Sequence, residues 1–140
     1  MASQTIPDSH LKLITDPVYI TLSTVSPDGY PENSVVWGQW DGEHIIIGTT
    51  RQRRKAQNIL KHPKVAVFAM EPGNPYRWID IRGEVTEVSE DVGYKVIDSL
   101  TELYTDEDKF YGGVAPAELE GTQDRVVLKI KPERVAVYPE

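Results

Sequence analysis

The residues best suited to chemistry lie in one short stretch, residues 48–56, whose sequence is GTTRQRRKA. Two threonine hydroxyls are followed there by four cationic side chains. Residues 51–64 contain no acidic residue and hold six of the 15 basic residues of the chain. Because arginine and lysine bind phosphate oxygens through charge-assisted hydrogen bonds, this stretch indicates a site for a small anion.

The stretch is predicted to be the end of a strand that runs into a helix. Residues 51–61 form the predicted helix. Their apolar side chains recur at helical spacing, at Ala56, Ile59 and Leu60. Thr50 is an acceptable cap for this helix. A helix start presents unpaired N–H groups and the positive end of the helix dipole, and both attract a phosphate monoester.

Two interpretations of these cations remain open at this level. In one, the cations hold a phosphate at the strand-to-helix corner; in the other, they form a solvated helix face without a ligand. Helical projection places Arg51, Arg54 and Lys61 opposite the apolar side chains. Arg53 and Lys55 lie nearer the boundary of the buried face and can reach forward to an anion.

Composition and spacing exclude several other chemistries. The chain has no cysteine, which excludes a disulfide framework, a thiolate zinc site and a cysteine nucleophile. Its three histidines are isolated, so no metal site is expected. No serine lies in a G-x-S-x-G sequence, which argues against an acyl-transfer nucleophile. No catalytic acid or base is identified, and the catalytic residues stay unassigned.

Length and charge restrict the partners. A chain of 140 residues is expected to form a single domain, residues 1–140. Its net charge of −7 argues against a nucleic-acid partner, since the phosphate backbone repels an acidic protein. No apolar run approaches the roughly 20 residues of a membrane span, and residues 1–10 lack the pattern of a signal peptide. We therefore expect no membrane partner and a cytoplasmic location.

The elements that must position the anion site are mostly strands. The predicted strands are residues 18–25, 33–40, 43–49, 65–70, 76–88, 125–130 and 135–138. The predicted helices are residues 9–15, the helix at 51–61, and one capped by Ser89 with Val92, Val96, Leu100 and Leu103 as its apolar positions. Asp41-Gly42 is typical of a hairpin turn, and Gly83 is a predicted bend. Short strands joined by turns favour a closed or nearly closed antiparallel barrel.

The three tryptophans, Trp37, Trp40 and Trp78, all lie in predicted strands. Most strand tryptophans pack in a core or across strands. In an open barrel, such side chains also leave apolar surface that a second copy of the chain can cover. We therefore expect a two-fold homodimer.

Several segments, in this order, resemble one known family. They are Pro27-Asp28-Gly29, the strand Ser34-Val35-Val36-Trp37, the helix from Arg53 to His62-Pro63, Ile81-Arg82-Gly83, and the closing segment from Arg125 to Val135. Together they resemble the flavin family of pyridoxamine 5′-phosphate oxidase. The segment EPGNPYRW, residues 71–78, resembles the branch that binds the deazaflavin coenzyme F420 rather than FMN. The resemblance implies a mostly β, α+β fold, a split β-barrel of the FMN-binding-like Greek-key type with two or three short helices.

The resemblance also implies where a cofactor would bind. It implies a homodimer with the cofactor at the subunit interface. The residues expected at the phosphate are Thr49, Thr50, Arg53, Arg54 and Lys55. The residues expected along the ring system are Ser34, Val35, Val36 and Trp37. The loose candidates for the substrate side are Tyr76, Arg77, Trp78 and Tyr111.

The function implied is that of an oxidoreductase that uses coenzyme F420 to transfer a hydride to a conjugated small molecule. One alternative is an FMN-binding oxidoreductase with the same fold. A second is a carrier that holds a flavin or F420 without catalysis, and a third is a dimeric barrel that binds no cofactor.

Overall fold

The computed structural model describes residues 5–140. Within them, seven antiparallel strands form one sheet, and three short α-helices pack against it. The strands are β1 (Ile20–Val25), β2 (Pro31–Val36), β3 (Gly38–Trp40), β4 (Ile45–Thr50), β5 (Lys64–Glu71), β6 (Asn74–Glu90) and β7 (Arg125–Tyr138). The helices are α1 (Lys12–Thr15), α2 (Arg54–Lys61) and α3 (Lys95–Tyr104).

The strand order explains why the sheet curls. It runs β2-β1-β5-β6-β7-β4-β3, so the two edge strands are β2 and β3. These edges are consecutive in sequence and are joined by the single residue Trp37. The sheet must therefore bend until its edges adjoin, although β2 pairs with β1 and β3 pairs with β4. The predicted fold class, a mostly β split barrel with two or three short helices, is confirmed.

The inside of the barrel is filled by branched apolar side chains. Ile45 and Ile47 of β4 are fully buried, and Ile46 on the opposite face is only 6% exposed. Both faces of this strand are therefore buried, as the run of three isoleucines without polar alternation indicates. Leu128 and Ile130 of β7 pair across from β4 and are also fully buried. This packing fixes the end of β4, from which the cationic stretch emerges.

Two predicted strand boundaries are wrong. The predicted strand at 33–40 is divided at Trp37, because its halves pair with different neighbours. The two predicted closing strands form the continuous strand β7. The predicted bend at Gly83 is confirmed, since the β6–β7 register shifts there. A Cβ atom on Gly83 would lie 2.7 Å from the Lys131 carbonyl oxygen, so the two backbones approach too closely for any other residue.

The two longer helices, α2 and α3, begin later than predicted. Arg53, not Thr50, is the N-cap of α2, and its side chain makes no capping hydrogen bond. Strand β6 continues through Ser89, so this serine does not cap α3. Instead, the two carboxylate oxygens of Asp91 accept hydrogen bonds from the N–H groups of Val96 and Ile97, each at 2.9 Å. A buried acceptor close to the first turn of α3 thus takes the place of the predicted hydroxyl cap.

The buried faces of the helices also differ from the projections. Leu60 was predicted to lie on the apolar face of α2, but it is 53% exposed. Asn58 is buried in its place because its amide donates hydrogen bonds to Thr24 and Glu32. In the segment before α3, Val92 is 68% exposed, whereas Ile97 is buried.

Tyr104, the last residue of α3, closes the seam between the sheet edges. Its hydroxyl accepts a hydrogen bond from the Gly38 N–H at 3.1 Å and donates one to the Val18 carbonyl at 2.7 Å. Burial raises the pKa of this hydroxyl. One side chain therefore satisfies backbone groups on both sides of the split.

We expect Tyr104→Phe to lower the free energy of unfolding by about 1–3 kcal/mol, because two buried backbone groups lose their partner. Chemical denaturation followed by circular dichroism measures this change. Tyr76→Phe is the matched control, since Tyr76 is 73% exposed, and it should change stability by less than about 0.5 kcal/mol. Equal stability of the two variants would contradict the role of the Tyr104 hydroxyl.

No helix among residues 5–140 combines the length and the apolar character needed to cross a bilayer.

Candidate functional site

A groove with a volume of about 270 Å³ lies where the end of β2, the end of β4 and the start of α2 converge. Most of the predicted cofactor residues line it. They are Val35, Val36, Trp37, Thr49, Thr50, Arg53 and Lys55. The structure thus brings the predicted ring strand and the predicted phosphate corner to the same surface.

The other two predicted cofactor residues, Ser34 and Arg54, line an adjoining cleft of about 260 Å³. Arg53 and Lys55 line both spaces. Arg54 faces Glu32 in this cleft, and its Nε donates a hydrogen bond to the Glu32 carboxylate at 2.8 Å. Hydrogen bonds from Asn58 and from Arg54 hold the pKa of Glu32 below its usual range. Arg54 is therefore already paired, unlike the two cations beside it.

Arg53 and Lys55 form no ion pair with any residue in the described part of the chain. Arg53 is exposed and Lys55 is half-buried. Burial lowers the pKa of the Lys55 ammonium, and the positive charges of Arg53 and Arg125 lower it further. The three cations thus repel one another, and an anionic ligand bound in the groove would relieve that repulsion.

The backbone at the start of α2 adds further donors. The Gln57 N–H makes the first hydrogen bond of the helix, to the Arg53 carbonyl at 3.1 Å. The N–H groups of residues 54–56 precede this bond and have no acceptor within the helix. Thr49 and Thr50 are buried at the end of β4 directly before them. Cations, free N–H groups and hydroxyls therefore surround a space suited to a phosphate monoester.

The opposite side of the groove is aromatic and apolar. Trp37 stacks on Tyr104 with ring centroids 5.4 Å apart and an angle of 14° between the planes. The Phe110 and Trp37 rings are nearly perpendicular, with an angle of 85° between their planes and 6.4 Å between their centroids. Ile97 and Leu100 of α3 line the same region. A flat ring system can pack against such a surface, while its phosphate reaches the cations.

The sequence analysis missed Arg125, which also lines the groove. This residue is 8% exposed, and its guanidinium lies 4.9 Å from the centroid of the Phe110 ring. Burial lowers the pKa of the guanidinium. In the sequence, Arg125 is notable only as a charged residue directly before the apolar run VVL. The sequence around it does not show that it lies near residues 48–56 in the fold.

Three of the predicted substrate-side residues lie on β6, outside the groove of the same chain. Tyr76 is exposed. Arg77 donates a hydrogen bond to the Ser9 carbonyl. Trp78 stacks on Tyr138 with centroids 6.0 Å apart. A role for them near a substrate stays a prediction, and it would require the groove of another chain.

The fourth substrate-side candidate, Tyr111, lies next to the groove but does not line it. It is 6% exposed, and its hydroxyl donates a hydrogen bond to the Gln123 side chain at 2.6 Å. The Tyr111 and Phe110 rings are nearly perpendicular, with 5.1 Å between their centroids. Tyr111 therefore packs against Phe110, and a direct contact between Tyr111 and a substrate stays a prediction.

The groove offers cations, hydroxyls and aromatic rings, and no carboxylate or imidazole is among the side chains that line it in the described chain. Across residues 5–140, no group of three or more His, Asp or Glu side chains is arranged to hold a metal ion. The arrangement can bind a flat anionic ligand and exclude water from one face of it. The reactive group must then come from the ligand itself.

Comparisons with solved structures agree with this fold. One structure, described as an F420 reductase, is 32% identical, with a TM-score of 0.81, and the match covers 94% of this chain and 98% of that one. A conserved hypothetical protein from Mycobacterium tuberculosis is 21% identical over 96% of this chain and 85% of that one, with a TM-score of 0.73.

A heme storage protein from Vibrio cholerae shares the fold at 18% identity and a TM-score of 0.63, over 87% of each chain. No curated protein matches the chain. The family described as pyridoxamine 5′-phosphate oxidase matches residues 6–138, which is nearly the whole sequence. The match, the split barrel and the groove together lead to one conclusion: this chain belongs to the pyridoxamine 5′-phosphate oxidase family.

Proposed function

We propose that this protein is an oxidoreductase that binds coenzyme F420 and uses it to transfer a hydride to a conjugated small molecule. The observation that carries the proposal is the pair of unpaired cations, Arg53 and Lys55, at the corner of a groove whose far side is aromatic. The 32% identity to a structure described as an F420 reductase supports F420 over FMN.

The residues present fit such a ligand. Arg53, Lys55 and the free N–H groups at the start of α2 would hold the phosphate, and Thr49 and Thr50 would add hydroxyl donors. The ring would lie along the end of β2, from Ser34 to Trp37. When bound, the deazaflavin supplies the hydride.

The protein's own part in the reaction would be positional and electrostatic. Trp37 and Phe110 would cover one face of the ring and exclude water from it. Arg53 and Lys55 would bind the phosphate, and this would fix the position of the ring along β2. No proton-transfer residue is assigned, because no carboxylate or imidazole lines the groove in the described chain.

The proposed site would be completed by a second copy of the chain. Strand β2 is an edge strand whose only partner in the described chain is β1. Val35 on this edge is 69% exposed, and the neighbouring Tyr19 is 64% exposed. Apolar side chains along an unpaired edge favour coverage by a partner. We therefore propose a homodimer with the ligand at its interface.

We expect light scattering at micromolar concentration to give twice the 15.8 kDa mass of the chain. The expected dimer has the two-fold symmetry that is commonest among soluble oligomers. A stable monomer under these conditions would contradict the dimer, and the groove would then have to bind its ligand within one chain.

Titration of the purified protein with F420 and with FMN tests the cofactor. The absorbance and fluorescence of each cofactor change when its ring leaves water, so both affinities come from the same experiment. We expect tighter binding of F420. Tighter binding of FMN would favour the alternative, an FMN-dependent oxidoreductase of the same fold.

A carrier remains the second candidate, because no carboxylate or imidazole lines the groove in the described chain. The protein loaded with reduced F420 is mixed with a panel of quinones and enones, and its absorbance is followed. Oxidation of the cofactor faster than in free solution supports the enzyme. Tight binding without acceleration on any acceptor supports the carrier, and no binding of either cofactor supports a barrel without a cofactor.

A further inference from the structure

The phosphate corner leaves one buried cation, Arg125, without an assigned partner. Arg125 is the first residue of β7, and its Cα atom pairs with Thr50 of β4. The guanidinium is close enough to Lys55 for its positive charge to lower the pKa of that ammonium. The Nη2 atom of Arg125 lies 3.5 Å from the position that a Cβ atom on Gly48 would occupy. The side chain therefore runs diagonally toward the aromatic side of the groove.

Aromatic side chains flank this guanidinium, and the hydroxyl of Tyr111 interacts with it and raises its pKa against the effect of burial. The Cζ atom of Arg125 lies 4.9 Å from the centroid of the Phe110 ring. The centroid of that ring lies 6.4 Å from the centroid of the Trp37 ring. Arg125 is 8% exposed, and its Nε has no hydrogen-bond partner among the described residues. A cation–π contact compensates only part of the cost of burying a charge.

No acidic side chain forms an ion pair with Arg125 in the described part of the chain. Arg125 also lines a second cleft that contains Glu90, Asp91 and Asp124. Both carboxylate oxygens of Asp91 accept backbone N–H groups of α3. Asp124 accepts a hydrogen bond from Gln52 at 3.1 Å. Because Arg125 has no ion-pair partner in the described chain and its Nε makes no hydrogen bond there, the guanidinium can donate to a ligand in the groove that it lines.

The phosphate does not require this third cation. The phosphate carries a charge of about −1 where it is a diester, as in F420, and about −1.5 to −2 where it is a monoester, as in FMN, and Arg53 and Lys55 already supply two positive charges beside the helix start. The Arg125 guanidinium lies beside Gly48 and over the Phe110 ring, on the aromatic side of the groove. A guanidinium in this place can donate to a different group of the ligand.

We propose that Arg125 is a specificity-determining residue that donates hydrogen bonds to a carbonyl or oxyanion oxygen on the edge of the bound ring, and not to the phosphate. This inference rests on the proposed function, because it uses the same groove. It assigns to the groove two separate polar contacts, one for each end of the ligand. A flat ligand without an oxygen on that edge would leave the buried guanidinium unpaired and would bind weakly.

Ligand pairs that differ only in the phosphate arm test the assignment. Coenzyme F420 and its phosphate-free chromophore form one pair, and FMN and riboflavin form the other. Their affinities are measured for the wild type, Arg125→Met and Arg53→Ala. Arg134→Met is the matched control, since Arg134 is an exposed arginine on the same strand.

We expect Arg125→Met to weaken both members of a pair by the same factor, about tenfold, as for the loss of one charge-assisted hydrogen bond. Arg53→Ala should weaken only the phosphate-bearing member, and Arg134→Met should change neither. A loss at Arg125 confined to the phosphate-bearing ligands would overturn the proposal. Unchanged affinities would overturn it as well.

The ligand-free protein supplies a second readout. If Arg125 is kept unpaired for a ligand, Arg125→Met removes a buried charge and should raise the melting temperature by about 2–5 °C. A fall in melting temperature would make Arg125 a structural residue and would overturn the proposal. A wild type that binds none of the four ligands overturns the proposed function and this inference with it, whereas the patterns above overturn this inference alone.

Discussion

Replacing Arg53 or Lys55 with alanine is expected to weaken cofactor binding by about tenfold to a hundredfold. Each side chain lines the groove without an ion-pair partner in the described chain, so each is free to bind the phosphate. A hydrogen bond to a charged group contributes roughly 1.5–3 kcal/mol, and 1.4 kcal/mol corresponds to a factor of ten. Isothermal titration calorimetry with F420 and with FMN measures the change.

Arg51→Ala and Lys61→Ala are the matched controls. Both residues are exposed, and neither lines the groove. Their removal changes the net charge as much as the two test variants do, but it should change affinity by less than about threefold. Equal losses in all four variants would indicate only a diffuse field around the helix. No loss at Arg53 or Lys55 would remove the phosphate site.

Arg54 gives a sharper comparison within the same helical turn. The sequence places it among the phosphate residues, whereas its Nε donates to Glu32 at 2.8 Å. Arg54→Ala should therefore lower affinity less than Arg53→Ala, because Glu32 already uses this guanidinium. The same calorimetry ranks the two. A larger loss at Arg54 would show that the phosphate lies in the adjoining cleft.

The grouping of hydroxyls, cations and a helix start at one corner could be predicted from the sequence, because these groups are neighbours in the chain; that they bind a phosphate stays a prediction. The hydroxyls, the cations and the helix start all fall within residues 48–56, so strand and helix periodicity alone brings them together. The exact cap could not be predicted. Thr50 has the better side chain for a cap, but its pairing with Arg125 keeps it in β4, and the helix begins after Arg53.

The remaining differences come from contacts between distant parts of the chain. Helical projection buries Leu60, yet hydrogen bonds from Asn58 to Thr24 and Glu32 fix the rotation of α2 and leave Leu60 exposed. Arg125 reaches the groove only because β7 pairs with β4. Local periodicity predicts a strand but not which strand it pairs with. It also does not predict hydrogen bonds between side chains that are far apart in the sequence.

The alternation of side chains along β2 leads to the second large prediction. Both Val35 and Val36 line the groove, but Val35 is 69% exposed, whereas Val36 is 9% exposed and belongs to the hydrophobic core. We expect Val35→Glu to fold and to lose at least about tenfold in cofactor affinity, because its carboxylate would stand where the ring is expected to lie and would repel an anionic ligand. Circular dichroism and the same titrations measure both effects.

Val36→Glu should instead fail to fold. An unpaired carboxylate in the core costs several kcal/mol, which is comparable with the roughly 5–15 kcal/mol that hold a domain of this size together. Val35→Thr is the control that keeps the shape of the side chain without adding charge, and it should bind the cofactor nearly as well as the wild type. If Val35→Glu were folded and bound the cofactor normally, the ring would not lie along β2. The proposed site would then keep its phosphate corner but would need a different surface for the rest of the ligand.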